Sequence, residues 1–162
     1  MSGERAARVV VASSRAAAGV YDDTTGPVIA EWLEQRGWSA SVEVVPDGAQ
    51  VGEAIRGAVE AGARLVITTG GTGASPTDRT PEQTRALLDF EVPGIAEELR
   101  RRGAAHTPLA LLSRGVVGVS GAAVVVNLPG SRGGVRDGLE VLGEVLDHLV
   151  DQVAGGDHVR IG

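Results

Sequence analysis

Leu65-Val66-Ile67-Thr68-Thr69-Gly70-Gly71-Thr72-Gly73-Ala74-Ser75-Pro76-Thr77-Asp78-Arg79-Thr80-Pro81-Glu82 reads as a buried strand, a loop and a helix start in succession. The apolar run stops at Ile67, Gly70, Gly71 and Gly73 follow, and then a lone aspartate. Thr80-Pro81-Glu82-Gln83 has the pattern of a capping box with proline in the first helical position. This order describes open backbone at the carboxyl end of a strand with a carboxylate held beside it. Ligands of open α/β sheets bind at such ends, and unencumbered amide N–H groups there suit phosphates. A glycine-rich turn is the plain alternative, but a simple strand-to-helix turn needs only about two to six residues. The longer loop points to an anionic, nucleotide-like ligand.

Outward from this segment, strand-like and helix-like stretches alternate. Arg8 to Ser13 is a β-branched run expected to be buried on both faces, followed by a loop from Ser14 to Thr25. Pro27 opens a helix with Ile29, Trp32 and Leu33 on one face and Gly37 as its stop. Ser39 to Val45 is a second strand, ended by the turn Pro46-Asp47-Gly48. Val51, Ile55, Ala58 and Val59 stripe the next helix, which Gly62 ends. Arg64 to Thr68 is the strand that enters the glycine loop. A helix is expected from Thr80 and another from Pro93 to Gly103. Leu109 to Leu128 is strand-rich, with a hairpin turning at Ser120-Gly121. The last helix runs from Ser131 to Val153 with Leu139, Leu142, Leu146 and Leu149 on one stripe, and the tail 154–162 is expected to be mobile.

The predicted fold is α/β: a mostly parallel sheet flanked by helices on both faces, with a β-hairpin before the last helix. Residues 1–162 are expected to form a single domain with its core at about 8–153. The loops after Ser13, Val45 and Thr69 should share one sheet edge with Asn127-Leu128-Pro129-Gly130-Ser131.

Missing residue types narrow the chemistry. The chain has no cysteine and no lysine, so all 15 basic residues are arginine. Thiolate and Schiff-base chemistry are excluded, as is the phosphate loop whose lysine must reach the β- and γ-phosphates. Phosphate must therefore be held by backbone amides, arginine or a metal. A net charge of −6 and four aromatic residues (one Phe, one Tyr, two Trp) argue against nucleic acid as a partner. No apolar stretch reaches the roughly 18 residues that would cross a membrane, and Met1 to Arg5 lacks a signal-peptide core, so a cytoplasmic location is expected.

Individual side chains carry competing readings. Asp78 is a loop residue or a magnesium ligand; a bare carboxylate beside a phosphate would repel it unless a cation lay between. On spacing alone Asp47 is a turn or cap residue, and its only local hint of function is a strand end next to the glycine loop. Ser13-Ser14-Arg15 and Asn127 to Ser131 are turns or anion sites alike. Arg100-Arg101-Arg102 is a solvated helix face, with Glu97 and Glu98 four residues ahead of Arg101 and Arg102. Arg15, Arg79, Arg114 and Arg132 are better anion candidates. His106, His148 and His158 have no partner at ligand spacing.

Together, Ser13-Ser14-Arg15-Ala16-Ala17-Ala18-Gly19-Val20-Tyr21-Asp22-Asp23, Val45-Pro46-Asp47, Thr69 to Gly73, Asp78 to Glu82, Leu112-Ser113-Arg114-Gly115 and Asn127 to Gly130 resemble the molybdopterin adenylyltransferases of molybdenum-cofactor biosynthesis, of the Mog/MoaB type. The likeness runs from Arg8 to His148. It implies a homotrimer that transfers AMP from ATP to the terminal phosphate of molybdopterin and releases pyrophosphate, with Mg2+ as cofactor. It implies Asp47 and Asp78 as the catalytic and metal-binding aspartates. Substrate and nucleotide contacts would come from Ser14, Arg15, Thr69, Gly70, Gly71, Thr72, Gly73, Thr80, Pro81, Glu82, Ser113, Asn127, Pro129, Gly130 and Ser131. The substrate phosphate is then the nucleophile, so no Cys, Lys or Ser is required. The product would pass to the molybdenum-insertion enzyme. The alternative reading is a non-catalytic molybdopterin-binding paralogue or carrier in the same pathway.

Overall fold

A computed structural model describes residues 5–20 and 22–155. Tyr21 and the expected tail beyond Gly155 lie outside the described residues. In chain order the elements are β1 (Ala6–Ala12), α1 (Ser14–Ala17), α2 (Gly26–Gln35), β2 (Ser39–Val45), α3 (Ala49–Glu60), β3 (Leu65–Thr69), α4 (Thr80–Arg85), β4 (Phe90–Glu91), α5 (Pro93–Ala104), a 3₁₀ turn at Pro108–Leu112, β5 (Val117–Ser120), β6 (Ala123–Leu128) and α6 (Arg132–Val153).

The strands form one six-stranded sheet in the order β2-β1-β3-β6-β5-β4. β2, β1, β3 and β6 are parallel, whereas β5 runs antiparallel to β6 and β4 antiparallel to β5. The expected α/β class and the hairpin are both present. Alternate side chains of each central strand enter opposite cores. Val9 and Val11 of β1 join Leu65, Ile67, Val124 and Val126 under α2 and α6. Val10 and Ala12 join Val66 and Val125 under α3. Val9, Val10, Ile67 and Val126 are fully buried. At about 1.5–3 kcal/mol for each large apolar side chain removed from water, a one-residue slip of any central strand would be heavily penalised.

That register positions the functional edge. Ala12 pairs with Val45, Val11 with Thr69, and Thr69 with Leu128, so four parallel strands end side by side. The loops beginning at Ser13, Pro46, Gly70 and Pro129 all leave from this one edge.

Local expectations fail where short polar segments decide. Ser14–Ala17 is a helical turn rather than loop, because Ser13 caps it by accepting the Ala16 N–H at 3.2 Å. Leu109 to Leu112 is 3₁₀, not strand; Thr107 caps it at 3.3 Å to the Leu109 N–H, and Leu109, Leu111 and Leu112 are exposed. The two-residue β4 gave no periodic signal. Thr80 is not an N-cap: Arg79 takes that position without a side-chain bond, and Gln83 turns toward Gly52 of α3 instead of reaching back. β2 is also not the neighbour of β3, since β1 lies between them. Among the described residues no helix is long and apolar enough to cross a membrane.

Candidate active site

A cleft of about 490 Å³ opens at the shared strand edge, lined by Ser13 to Ala16, Asp23 to Thr25, Asp47, Thr69 to Gly71, Thr77, Asp78 and Gly130. Both predicted aspartates face it although β1 separates their strands. Glycine makes this possible. Gly70 and Gly71 have φ of +92° and +69°, a conformation that side chains rarely adopt. A Cβ on Gly70 would lie 2.5 Å from the Ala12 carbonyl oxygen; one on Gly71 would strike Thr80 Oγ1 and come 3.3 Å from Asp47 Oδ1. The loop therefore folds down over the end of β1 until Asp47 borders Gly71. At the other end of the glycine run, a Cβ on Gly73 would lie 2.8 Å from Asp78 Oδ2. The glycine loop lies between the two carboxylates.

Each aspartate is anchored through one oxygen. Asp47 Oδ2 accepts from the Ser14 N–H at 3.3 Å and the Ser14 hydroxyl at 3.1 Å. Asp78 Oδ2 accepts from the Ser75 N–H at 3.1 Å, while the Asp78 N–H donates to the Ser75 carbonyl at 3.0 Å. The Oδ1 atoms accept no hydrogen bond among the described residues. Gly70 is not a free donor, because its N–H bonds to the Leu128 carbonyl at 3.1 Å. The N–H groups of Gly71, Thr72, Gly73 and Ala74 donate to no acceptor among the described residues. Of these four residues, only Gly71 lines the cleft. The Thr69 hydroxyl donates to the Pro129 carbonyl at 2.8 Å and lies 3.3 Å from the Thr25 hydroxyl, from which it can accept, binding the loops to each other.

The remaining predicted contacts split into two groups. Ser14, Arg15, Thr69, Gly70, Gly71 and Gly130 line the cleft with the aspartates. Thr72, Gly73, Thr80, Pro81, Glu82, Ser113, Asn127, Pro129 and Ser131 do not line it. Asn127 is buried, with Oδ1 accepting the Val116 N–H at 3.1 Å and Nδ2 donating to the Thr68 and Thr84 hydroxyls at 2.9 and 3.0 Å. Its amide is thus spent inside the fold. Ser113, Asn127 and Pro129 border a separate cavity of about 30 Å³. Ser131 caps α6 by accepting the Gly134 N–H at 3.1 Å. Thr80 Oγ1 is buried without a partner among the described residues, beneath Gly71.

Of the four arginines favoured as anion ligands, Arg15 alone lines the cleft. Arg114 is engaged by Glu82 and by loop carbonyls. Its hydrogen bond is the main cause that lowers the Glu82 carboxyl below its ordinary value. Arg132 lies instead in a cavity of about 510 Å³ between α2 and α6, which shares only Thr24 and Thr25 with the cleft. That cavity is the larger, but it lacks both aspartates and the glycine loop. Of the expected solvated arginines, Arg101 and Arg102 both pair with Glu98, three and four residues ahead, whereas Arg100 turns inward and donates to the Ser113 and Gly115 carbonyls. One histidine does have an acidic neighbour: His106 Nδ1 is 3.0 Å from Asp137 Oδ2 on an exposed surface.

Asp23, Thr24, Thr25 and Thr77 also line the cleft, none of them among the contacts expected from the sequence. Asp23 Oδ1 accepts from the N–H groups of Thr25 and Gly26 at 3.1 and 3.0 Å, fixing the start of α2 at the cleft wall. An aspartate shortly before Gly26-Pro27 is the helix-start signal that could have revealed it.

The family model described as a probable molybdopterin binding domain matches residues 8–148. A molybdenum cofactor biosynthesis bifunctional protein of Synechococcus elongatus is 39% identical over 94% of this chain, which spans 48% of that protein. The chain therefore covers about half the length of that relative. A molybdopterin adenylyltransferase of Haemophilus influenzae is 38% identical over 82% of this chain and 70% of its own length. Among solved structures, the molybdopterin biosynthesis Mog protein of Mycobacterium ulcerans is 59% identical with a TM-score of 0.90, over 92% of this chain and 99% of its own.

Proposed function

Because the chain belongs to the probable molybdopterin binding domain family, we propose that it is a nucleotidyltransferase of molybdenum-cofactor biosynthesis that adenylylates molybdopterin. A phosphate oxygen of molybdopterin forms a bond to the α-phosphorus of ATP, the bond from that phosphorus to the β-phosphate bridging oxygen breaks, and pyrophosphate leaves. The attacking phosphate is already anionic, so the chain need provide no general base. Its work is to align two anionic substrates and offset their charge. The single observation that supports this reading most is the convergence on one cleft of Asp47, Asp78 and the Gly71 N–H, which has no acceptor among the described residues.

Gly71 offers a backbone donor to a phosphate oxygen, and Arg15 offers the cleft's guanidinium. Ser14 holds the Asp47 carboxylate in orientation through two hydrogen bonds. Among the described residues no group of three or more acidic or histidine side chains could cage a metal. Magnesium is commonly held by one or two carboxylates together with substrate phosphates, which the donor set of Asp47 and Asp78 fits. When bound it would neutralise phosphate charge. We further place the protein in the cytoplasm as a single-domain homotrimer that hands its product to the molybdenum-insertion enzyme.

The test is incubation with molybdopterin, ATP and Mg2+, following pyrophosphate and the adenylylated product. Wild type makes both. Asp78→Asn binds molybdopterin and makes almost none. A chain that titrates molybdopterin and yields neither product is a carrier, and full turnover by Asp78→Asn removes that residue from the mechanism.

A further inference from the structure

We propose that Arg114 is a positioning residue: with Glu82 behind it, its guanidinium ties together the two ends of the loop at 73–78 and so sets the Asp78 carboxylate in the cleft. This rests on the reading that the cleft carries out adenylyl transfer.

Arg114 approaches the loop from the segment that precedes β5. Its main-chain N–H donates to the Thr72 carbonyl at 2.8 Å. Its Nε donates to the Gly73 carbonyl at 2.8 Å, and its Nη2 to the Asp78 carbonyl at 2.8 Å. Glu82 accepts from Nη1 at 2.5 Å and from Nη2 at 3.4 Å. A guanidinium has five N–H donors in a rigid fork. Four bonds to the loop and to Glu82 leave it little capacity for a phosphate.

The loop has little else to hold it. Residues 74–77 are exposed, and apart from the Arg114 bond to the Asp78 carbonyl the turn from Ser75 to Asp78 bonds only to itself among the described residues. Arg114 crosses that gap by fixing a carbonyl on each side. Glu82 has a second effect. It accepts from both Nη atoms, so the guanidinium pairs with Glu82 and not with the Asp78 carboxylate, which accepts only the Ser75 N–H among the described residues. Lysine could not replace this, because one ammonium cannot match a planar fork spread over three acceptors.

The experiment compares wild type with Arg114→Lys and Glu82→Gln in the full chain. It measures amide hydrogen exchange across 72–79, the melting temperature, and kcat and KM for ATP from pyrophosphate release. Arg114→Lys is expected to speed exchange in 72–79 while leaving β3 and α6 protected, and to lower kcat about 100-fold, the scale of loss from slight misplacement of a reacting group. KM for ATP should stay close to wild type, as fits a group that touches no substrate. Glu82→Gln should move both readouts the same way by less, and decides the matter if Arg114→Lys does not fold. Unchanged exchange together with a raised KM for ATP would make Arg114 a phosphate ligand and overturn the proposal. Unchanged exchange and unchanged kcat would overturn it as well. If wild type itself releases no pyrophosphate, the adenylyltransferase reading fails. The exchange data would still decide the clamp, with unchanged protection in Arg114→Lys counting against it.

Discussion

Asp47 gains its place in the cleft from residues far away in sequence. Within Pro46-Asp47-Gly48 it has every property of a turn residue. Its carboxylate is oriented by Ser14, 33 positions earlier, and approached by Gly71 across the end of β1. Spacing along the chain has no access to either contact, which is why resemblance had to raise it. Asp78 was easier to read because the glycines that flank it are its sequence neighbours. Thr80 shows a local pattern losing to tertiary structure: the main-chain N–H of Thr80 donates to the Gly71 carbonyl at 3.1 Å, and its hydroxyl is buried with no partner among the described residues. An unsatisfied buried hydroxyl costs about 1–3 kcal/mol. Thr80→Val, of nearly the same shape, should therefore raise stability by about 1 kcal/mol, read from the urea midpoint at constant slope. A fall of that size would mean that the hydroxyl is bonded after all.

Between elements, the buried amide of Asn127 has an influence that its position in a turn motif concealed. On β6 it reaches the Thr68 hydroxyl of β3, the Thr84 hydroxyl of α4 and the Val116 N–H ahead of β5. Asn127→Ala would strand the Val116 N–H and the Thr68 hydroxyl, while the Thr84 hydroxyl keeps its bond to the Thr80 carbonyl. A loss of about 2–4 kcal/mol is expected from denaturant unfolding. A loss below about 1 kcal/mol would show that these groups find other partners. The long periodic elements were legible throughout: β2 matches residue for residue, and α6 begins one residue after its predicted start at Ser131. The 3₁₀ turn and β4 were not, because five and two residues give no period to read. The contacts that engage Arg114 were out of sight for a related reason: Glu82 and the Gly73 carbonyl lie on other segments.

Across the molecule, parallel strand order was foreseeable from alternation, but which strand lies beside which was not. The order β2-β1-β3-β6 puts β1 between the loops bearing the two aspartates, so the cleft depends on glycines letting one loop cross over that strand. The far side is joined by charge. Glu98 on α5 holds Arg101 and Arg102, and Arg102 continues to Glu144 on α6. Hydrogen bonds from Arg101 and then Arg102 lower the Glu98 carboxyl from 4.5 to about 2. A lowered folded-state value contributes stability that is fully present above about pH 4.5 and is lost as pH falls toward 2. Glu98→Gln should flatten the stability slope across that window. Its loss of stability is largest above about pH 4.5 and vanishes toward pH 2. The loss is small throughout, because exposed pairs are weak and screened by salt. An unchanged acid slope in the variant would exclude Glu98 from acid unfolding. The cleft itself is tested most directly by the crystal structure of this chain with a non-hydrolysable ATP analogue. An α-phosphate is expected at hydrogen-bond distance from the Gly71 N–H, with Asp47 and Asp78 facing the triphosphate. A nucleotide lodged between α2 and α6, remote from both aspartates, would contradict it.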